Sequence, residues 1–168
     1  MPQNTATPAA VSIRPATAAD LPAVLALYAQ PEIDNGHVLP LDRAEAVFRQ
    51  MQSYPRYTLY VASAGSRIVG TFSLLIAENL AHFGAPSGVV EDVVVAVEEQ
   101  GKGIGKQMMR YALDRCREHG CYKMALSSNA RRTPAHRFYD SLGFKRHGLS
   151  FVATPVPPDG SPTGPLSP

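Results

Sequence analysis

The chain has 168 residues, of which 45% are apolar and 18% charged, with a net charge of +2. This composition predicts one soluble globular domain with its own core. It gives no basic field for binding nucleic acid or an anionic membrane. No apolar run approaches the roughly 18 residues that span a bilayer, and no basic residue precedes an apolar stretch at the start. We therefore expect a cytoplasmic protein without nucleic-acid or membrane partners.

The two ends of the chain differ in composition from its middle. Residues 1–10 are small and polar, and residues 154–168 hold six of the chain's 15 prolines. Neither segment has enough apolar area to offset the entropy of ordering its backbone. We expect a flexible N-terminus at 1–10, one domain at 11–153 and a disordered proline-rich tail at 154–168.

The first elements alternate between strand and helix. Val11–Arg14 is predicted to form a short strand. Asp20 is expected to cap a helix that reaches about Ala29, because a carboxylate can accept hydrogen bonds from the free amides of a first turn. Asp42 is expected to cap a second helix, Arg43–Gln52, in the same way.

Three strand patterns occupy the centre of the chain. Arg56–Ala62 and Arg67–Ile76 are β-rich runs joined by Ala64-Gly65-Ser66, which predicts a hairpin. Gly88–Val97 is rich in valine and predicts a further strand.

The clearest helix pattern follows the valine strand, from Ile104 to His119, and Gly120 is a suitable stop. Its apolar stripe is Ile104, Met108, Ala112 and Cys116, with Met109 and Leu113 beside it. Tyr122–Ser127 then predicts a strand, Thr133–Leu142 a short helix, and Phe144–Val152 a last strand region. Cys116 and Cys121 fall at the end of the helix and the start of the strand, which favours two buried thiols over a disulfide.

A glycine cluster, Gln100-Gly101-Lys102-Gly103-Ile104-Gly105, lies between the valine strand and this helix. Unshielded amides and the helix dipole predict an anion site there. A P-loop is excluded, because Gln100 replaces its first glycine and Gln107 replaces its Ser or Thr. The dinucleotide fingerprint needs a wider final glycine spacing. The pattern Gln/Arg-x-x-Gly-x-Gly/Ala is met at Gln100, Gly103 and Gly105.

This segment resembles the acetyl-CoA-binding motif of the GNAT superfamily of N-acetyltransferases. A second match, Phe138-Tyr139-Asp140-Ser141-Leu142-Gly143-Phe144, resembles the family's Phe-Tyr-x-x-x-Gly-Phe signature. The resemblance runs from Ile13 through Phe151. It implies an α/β fold with a mixed, largely antiparallel central sheet flanked by about four helices. It also implies acetyl-CoA as cosubstrate, while no cluster of His, Cys and carboxylates has the spacing of a metal site.

The resemblance also implies how acetyl-CoA is held. The valine strand would pair with the pantetheine arm, and the loop amides would cradle the pyrophosphate. Lys102 and Lys106 either add attraction for phosphate or belong to a solvated face. Arg132 stands where many relatives have an asparagine that contacts the pantetheine arm. Asn129 is the residue that could make this contact instead. The implied cofactor-binding residues are Val93, Val94, Val95, Gln100, Gly101, Lys102, Gly103, Ile104, Gly105, Lys106, Asn129, Ala135 and Phe138.

Acetyl transfer to an amine needs a neutral amine, a stabilised oxyanion and a proton for the leaving thiolate. Tyr139 stands at the family position of the general acid, and a phenol with a pKa of about 10 keeps its proton at neutral pH. Its alternative role is a core aromatic. We favour Glu91 over Asp92 as the residue that positions the amine. Gly88–Val95 resembles glucosamine-6-phosphate N-acetyltransferases, in which the first carboxylate of the Glu-Asp pair helps to position the amine. Neighbouring strand residues point to opposite faces, so only one is expected at the substrate.

The acceptor is less well defined. No carboxylate occurs in Met124–Asn129, where the glucosamine-6-phosphate enzymes carry an aspartate, and Leu126–Tyr139 looks more like aminoalkylphosphonate N-acetyltransferases. A rim at Gln30–Leu41 is expected to border the acceptor. The predicted substrate-binding residues are Glu91, Asp92, Arg132 and His37.

The predicted function is direct transfer from acetyl-CoA to a primary amine of a small molecule. A protein or peptide acceptor is the alternative within enzymes. A catalytically silent acyl-CoA-binding sensory domain is the alternative outside them. Dimers are common among relatives, and the sequence leaves a homodimer open.

Overall fold

The computed structural model describes residues 11–153, which divide into two compact units, 11–126 and 127–153. The predictions for residues 1–10 and 154–168 lie outside the described residues.

The first unit is built on one five-stranded sheet in which the strands lie side by side in chain order. The first three pairings are antiparallel and the last is parallel. The strands are β1 (Ser12–Pro15), β2 (Tyr57–Ala64), β3 (Arg67–Ala77), β4 (Ser87–Val95) and β5 (Lys123–Leu126). Gly65, at φ +60°, turns the predicted hairpin between β2 and β3.

Four α-helices complete the described chain and confirm the predicted α/β class. They are α1 (Leu21–Tyr28), α2 (Leu41–Ser53), α3 (Ile104–Glu118) and, in the second unit, α4 (Thr133–Ser141). The predicted boundaries are mostly within two residues of these. A short 3₁₀ turn, Val97–Glu99, replaces the last part of the predicted valine strand.

The helices of the first unit cover both faces of the sheet. On one face α1 and α2 bury a cluster of Ala16, Leu21, Val24, Ala44, Phe48, Leu59 and Val61. On the other face α3 packs closely, because β3 and β4 carry glycines beneath it. A Cβ added at Gly70 would lie 2.7 Å from Met108 Sδ, and one added at Gly88 would lie 2.3 Å from Cys116 Sγ.

The apolar stripe predicted for α3 is confirmed, with one error. Ile104, Met108, Met109, Ala112 and Cys116 are buried, whereas Leu113 is 36% exposed. Both cysteines are free thiols, as predicted, although Cys121 is only half-buried.

Asp20 is the N-cap residue of α1, as predicted, but its side chain makes no cap hydrogen bond to that helix. Asp20 accepts hydrogen bonds from the Thr17 amide (2.7 Å) and from both terminal nitrogens of Arg14 (2.7 and 2.8 Å). These bonds, led by those from Arg14, hold the pKa of Asp20 far below its usual range. An arginine six residues earlier thus competes successfully for the carboxylate. The second helix begins at Leu41 with Pro40 as N-cap, so Asp42 lies within its first turn.

The last predicted strand is wrong for the described chain. Within residues 127–153 the segment from Phe144 onward forms no strand. Gly143 and Gly148 both adopt left-handed backbone, at φ +83° and +79°, and interrupt an extended run. The apolar residues Leu149 and Phe151, which favoured a strand, are largely exposed.

Candidate functional site

Strand β4 changes its pairing halfway along its length. Ser87–Val90 pairs with β3 on one side and with β5 on the other, ending at Val90 opposite Leu126. From Glu91 onward, β4 pairs only with β3 among the described strands. The β5 side of Glu91–Val95 is therefore an open strand edge within the first unit.

A β-bulge lies at the start of this open half. Glu91 is opposite Ser73 and Val94 is opposite Thr71, so two residues of β4 face the single residue Phe72. Asp92 takes the left-handed conformation, at φ +52°. That conformation costs a non-glycine residue about 1 kcal/mol, although aspartate tolerates it better than most. Bulges re-aim side chains and are frequent beside active sites.

The bulge corrects the expectation of strict alternation along β4. Glu91 and Asp92 are both exposed, so a simple up–down rule does not separate them. Partial desolvation, followed by the negative charges of Glu91 and Asp34, raises the pKa of Asp92. Glu91, Asp92 and Asp34 thus lie in one negatively charged region.

Alternate residues beyond the bulge direct their backbone groups toward the open edge. The Ala96 amide donates to Val69 O at 2.8 Å. Residues of an antiparallel ladder direct their backbone groups alternately to opposite sides, so Val93 and Val95 direct theirs away from β3. Val95 O accepts hydrogen bonds from the side-chain amides of Gln30 and Gln100, both at 3.2 Å. An extended ligand could pair with this edge as another strand would.

The glycine loop has the geometry of an anion site. Gly101 and Gly103 are left-handed, at φ +76° and +82°, and Gly103 is the N-cap of α3. The first bond of the helix runs from the Gln107 amide to Gly103 O at 3.1 Å. The amides of Ile104–Lys106 therefore have no helical acceptor and face outward at the positive end of the dipole. The buried Ile104 side chain anchors this turn to the core.

The two lysines of the loop are in different environments. Lys102 Nζ donates to Glu99 Oε2 at 3.0 Å, and Arg67 binds the same carboxylate. These hydrogen bonds, led by that from Lys102, lower the pKa of Glu99. Lys106 is exposed and forms no ion pair with another described residue. Its charge is the more available of the two for a phosphate.

Several residues near the carboxylate pair were missed by the sequence analysis. Burial, followed by the charge of Asp92, raises the pKa of the Tyr28 phenol. The charge of Asp34 contributes to the raised pKa values of both Tyr28 and Asp92. Thr71 and Ser73 are fully buried polar residues of β3, and Ser73 Oγ donates to Glu91 O at 3.4 Å. Two polar residues spaced two apart in an apolar strand were the available signal. Tyr28 gave none, because it continues the apolar stripe of α1.

The predicted rim residue His37 is exposed, in the connection that follows α1. Its Nδ1 lies 2.9 Å from Asp34 O. Asn35 and Gly36 adopt left-handed backbone, and the Gly36 amide donates to Ala29 O at 2.8 Å. This turn fixes the start of the rim Gln30–Leu41 in the first unit.

The second unit carries the remaining predicted residues. Tyr139 is half-buried, with its ring edge-on to Phe138 at 5.1 Å and to Phe144 at 5.6 Å between centroids. Burial raises the pKa of Tyr139, and the nearby charge of Arg132 partly opposes that change. The phenol therefore holds its proton at neutral pH. Asn129 Oδ1 accepts the Arg131 amide at 2.9 Å.

Ala135 and Phe138 lie on α4 and are half-buried. Arg132 is the N-cap residue of that helix. The five predicted residues of the second unit thus lie on one helix and the turn before it.

Residues 11–153 form neither a metal site nor a membrane-spanning helix. No group of three or more His, Cys, Asp or Glu side chains is arranged to hold a metal ion there. No helix in the same range is long and apolar enough to cross a membrane.

Comparisons with known proteins agree with this geometry. A family model described as acetyltransferase (GNAT) family matches residues 21–144. The chain is 40% identical over 81 residues to glucosamine 6-phosphate N-acetyltransferase of Trypanosoma brucei brucei, covering 48% of this chain and 53% of that relative. It is 31% identical over 98 residues to aminoalkylphosphonate N-acetyltransferase of Salmonella typhimurium, covering 58% and 63% respectively. The matches therefore span less than two thirds of either curated relative.

A solved structure is similar over more of its length. A candidate acetyltransferase from Agrobacterium tumefaciens superposes with a TM-score of 0.79 at 32% identity. The match covers 86% of this chain and 99% of that chain.

Proposed function

Because the chain belongs to the acetyltransferase (GNAT) family, we propose that it transfers an acetyl group from acetyl-CoA to a primary amine of a small molecule. The transfer is direct, within a ternary complex. The observation that carries the proposal is the open edge of β4, which leads through Gln100 into the glycine loop. A strand edge followed by a helix N-terminus suits a ligand with an amide-containing arm and a pyrophosphate.

The first unit holds acetyl-CoA in this proposal. The backbone groups of Val93 and the amide of Val95 pair with the amides of the pantetheine arm, because Val95 O already accepts from Gln30 and Gln100. The amides of Ile104–Lys106, with the left-handed turns at Gly101 and Gly103, receive the pyrophosphate. Lys106 adds a screened attraction that Lys102, paired with Glu99, offers less strongly.

The chemistry divides between a carboxylate and a phenol. Glu91, directly or through a water molecule, takes a proton from the acceptor ammonium. The neutral amine attacks the thioester carbonyl, and the tetrahedral intermediate collapses by breaking the carbon–sulfur bond. Tyr139 gives its proton to the departing thiolate, and the excess proton on the acylated nitrogen is released to restore the Tyr139 phenol. Its protonated state at neutral pH supports that role.

The acceptor class rests on the named relatives. Those relatives act, by name, on glucosamine 6-phosphate and on aminoalkylphosphonates, which are small molecules bearing a primary amine. A small amine is therefore favoured over a protein or peptide. The two free thiols support a reducing, cytoplasmic compartment.

An amine panel tests the proposal. The full chain is mixed with acetyl-CoA and, in turn, amino sugar phosphates, aminophosphonates, polyamines and amino acids, and free CoA thiol is measured. Amine-dependent thiol release supports the proposal. Tight acetyl-CoA binding without release for any amine would instead identify a silent acyl-CoA-binding domain.

The Tyr139→Phe substitution tests the general acid. We expect kcat to fall by about 100-fold or more, the usual contribution of a general acid, with acetyl-CoA affinity unchanged. The control is Tyr122→Phe, which removes a phenol that lies outside the proposed site and stacks on His82. Unchanged kcat in Tyr139→Phe would show that the residue is only a packed aromatic.

A further inference from the structure

The C-terminal end of α3 brings the two cysteines of the chain together. Gly120 is left-handed, at φ +70°, and its amide donates to Arg117 O at 3.0 Å. The Cys121 amide donates to Cys116 O at 2.9 Å. These paired bonds form a Schellman motif, which brings the first and sixth residues of the turn side by side and is frequently accompanied by a contact between their side chains. Here those two residues are Cys116 and Cys121.

The two thiols differ in access to solvent. Cys116 is 4% exposed, and its Sγ lies above Gly88 of β4. Cys121 is half-buried and is the thiol that a dissolved reagent meets first. Burial, followed by the neighbouring Cys121 thiol, raises the pKa of Cys116 to about 12. Cys116 is therefore a protonated thiol held beside a more accessible one.

We propose that Cys116 and Cys121 are a modification site, at which hydrogen peroxide converts the two thiols into a reversible intramolecular disulfide. The Schellman hydrogen bonds hold the two residues side by side, with the thiol of Cys121 next to that of Cys116, so closing the bond needs no long-range rearrangement. The site is independent of the proposed acetyl transfer, because neither cysteine belongs to the β4 edge or the glycine loop.

The reaction balances in two steps. The Cys121 sulfur attacks one oxygen of the peroxide, the O–O bond breaks, and the leaving hydroxide departs as water with the Cys121 proton. The product is a sulfenic acid on Cys121. The Cys116 sulfur then attacks Cys121 Sγ, the S–O bond breaks, and hydroxide leaves as a second water with the Cys116 proton. Two thiols are oxidised and one peroxide is reduced. A dithiol such as dithiothreitol reverses the product by thiol–disulfide exchange.

The sequence between the cysteines allows a direct assay. Trypsin cuts after Arg115, Arg117 and Lys123, which separates Cys116 and Cys121 into the peptides 116–117 and 118–123. In reduced protein the two peptides are separate. In the proposed product they remain joined by the disulfide.

The experiment treats the full chain with hydrogen peroxide, blocks remaining thiols under denaturing conditions, and then maps tryptic peptides. We expect the joined peptide, loss of both titratable thiols, a monomeric band without reductant, and recovery of both thiols with dithiothreitol. The Cys116→Ala variant reports whether the oxidant suffices, because its Cys121 has no partner and should be oxidised without forming the joined peptide.

Three results would overturn the proposal. One is that both wild-type thiols stay free at a peroxide concentration that oxidises Cys121 in Cys116→Ala. Another is that wild-type Cys121 advances to a sulfinic acid without joining Cys116. The third is that disulfides form only between chains. All three are scored on wild-type protein, and the variant enters only the first, as the check that the peroxide concentration is high enough to oxidise Cys121.

Discussion

The two halves of β4 are similar in composition and different in use. Ser87–Val90 is paired on both sides, and its residues Gly88 and Val90 are buried, with Gly88 packed against Cys116 of α3. Glu91–Val95 is just as rich in valine, but it is bulged at Asp92 and open on one side. The first half stabilises the sheet, and the second supplies the proposed cofactor and amine contacts. The proposed site thus depends on interrupted strand pairing rather than on a separate element.

The largest expected effect separates the halves by activity. Glu91→Gln should lower kcat/KM for the amine by about 100-fold, the scale of a lost proton acceptor. Because Glu91 is exposed, its free energy of unfolding should change by less than about 0.5 kcal/mol. Initial rates across pH and urea unfolding measure both. An unaltered acidic limb of the pH–rate profile would count against Glu91 as the proton acceptor.

The next effect falls on the paired half. Gly88→Ala places a methyl group 2.3 Å from Cys116 Sγ, and overpacking of this kind costs about 1–3 kcal/mol of stability. Turnover per folded molecule should stay close to wild type. In a Cys116→Ala background the same change should cost much less, because the clashing sulfur is gone. Equal losses in both backgrounds would show that another contact is responsible.

A glycine–alanine comparison sharpens the contrast further. At Asp92, Gly should be more stable than Ala by about 1 kcal/mol, because only glycine adopts φ +52° without strain. At Val89, in the paired half, Ala should be the more stable by about 0.5–1 kcal/mol, as in an ordinary strand. Urea unfolding of the four variants gives both differences. The same sign at both positions would remove the distinction between the halves.

The smallest expected effect is a pH dependence from Asp92. Its pKa is raised in the folded protein, whereas an unfolded aspartate has a pKa of about 4. The folded state then binds more protons, so this carboxyl destabilises the protein as pH rises from about 4 through the raised pKa. Asp92→Asn, which does not titrate, should therefore gain stability relative to wild type over that window. Unfolding at several pH values measures the difference, and a constant offset would contradict it.

Local patterns made most of the fold predictable. The stripe of α3 and the Gly65 hairpin depend on residues close in sequence, and both are confirmed. The family resemblance read from the glycine loop is confirmed as well. That loop was predictable because the amides of a helix start and the glycines that expose them are neighbours in the chain.

The errors and omissions arise where distant residues decide. The Asp20 carboxylate binds Arg14 instead of the first-turn amides of α1. The bulge at Asp92 depends on the register of β4 against β3. Gln30 meets Val95 across 65 positions of sequence. Residues 144–153 carry strand-like apolar side chains, yet no strand forms from them within the described chain. Roles for Glu91 and Tyr139 remain predictions.

The two hydrogen bonds at Val95 O restrict the register in which an extended ligand can pair with β4. A carbonyl oxygen has two lone pairs, and the amides of Gln30 and Gln100 use both. A donor on an incoming arm is thereby directed to the preceding outward-facing carbonyl, Val93 O, unless it displaces a glutamine. In the proposed complex, the span from Val93 O to the loop amides must match the length of the arm between its amide and its pyrophosphate. The two glutamines therefore limit the registers in which an extended ligand can pair with β4.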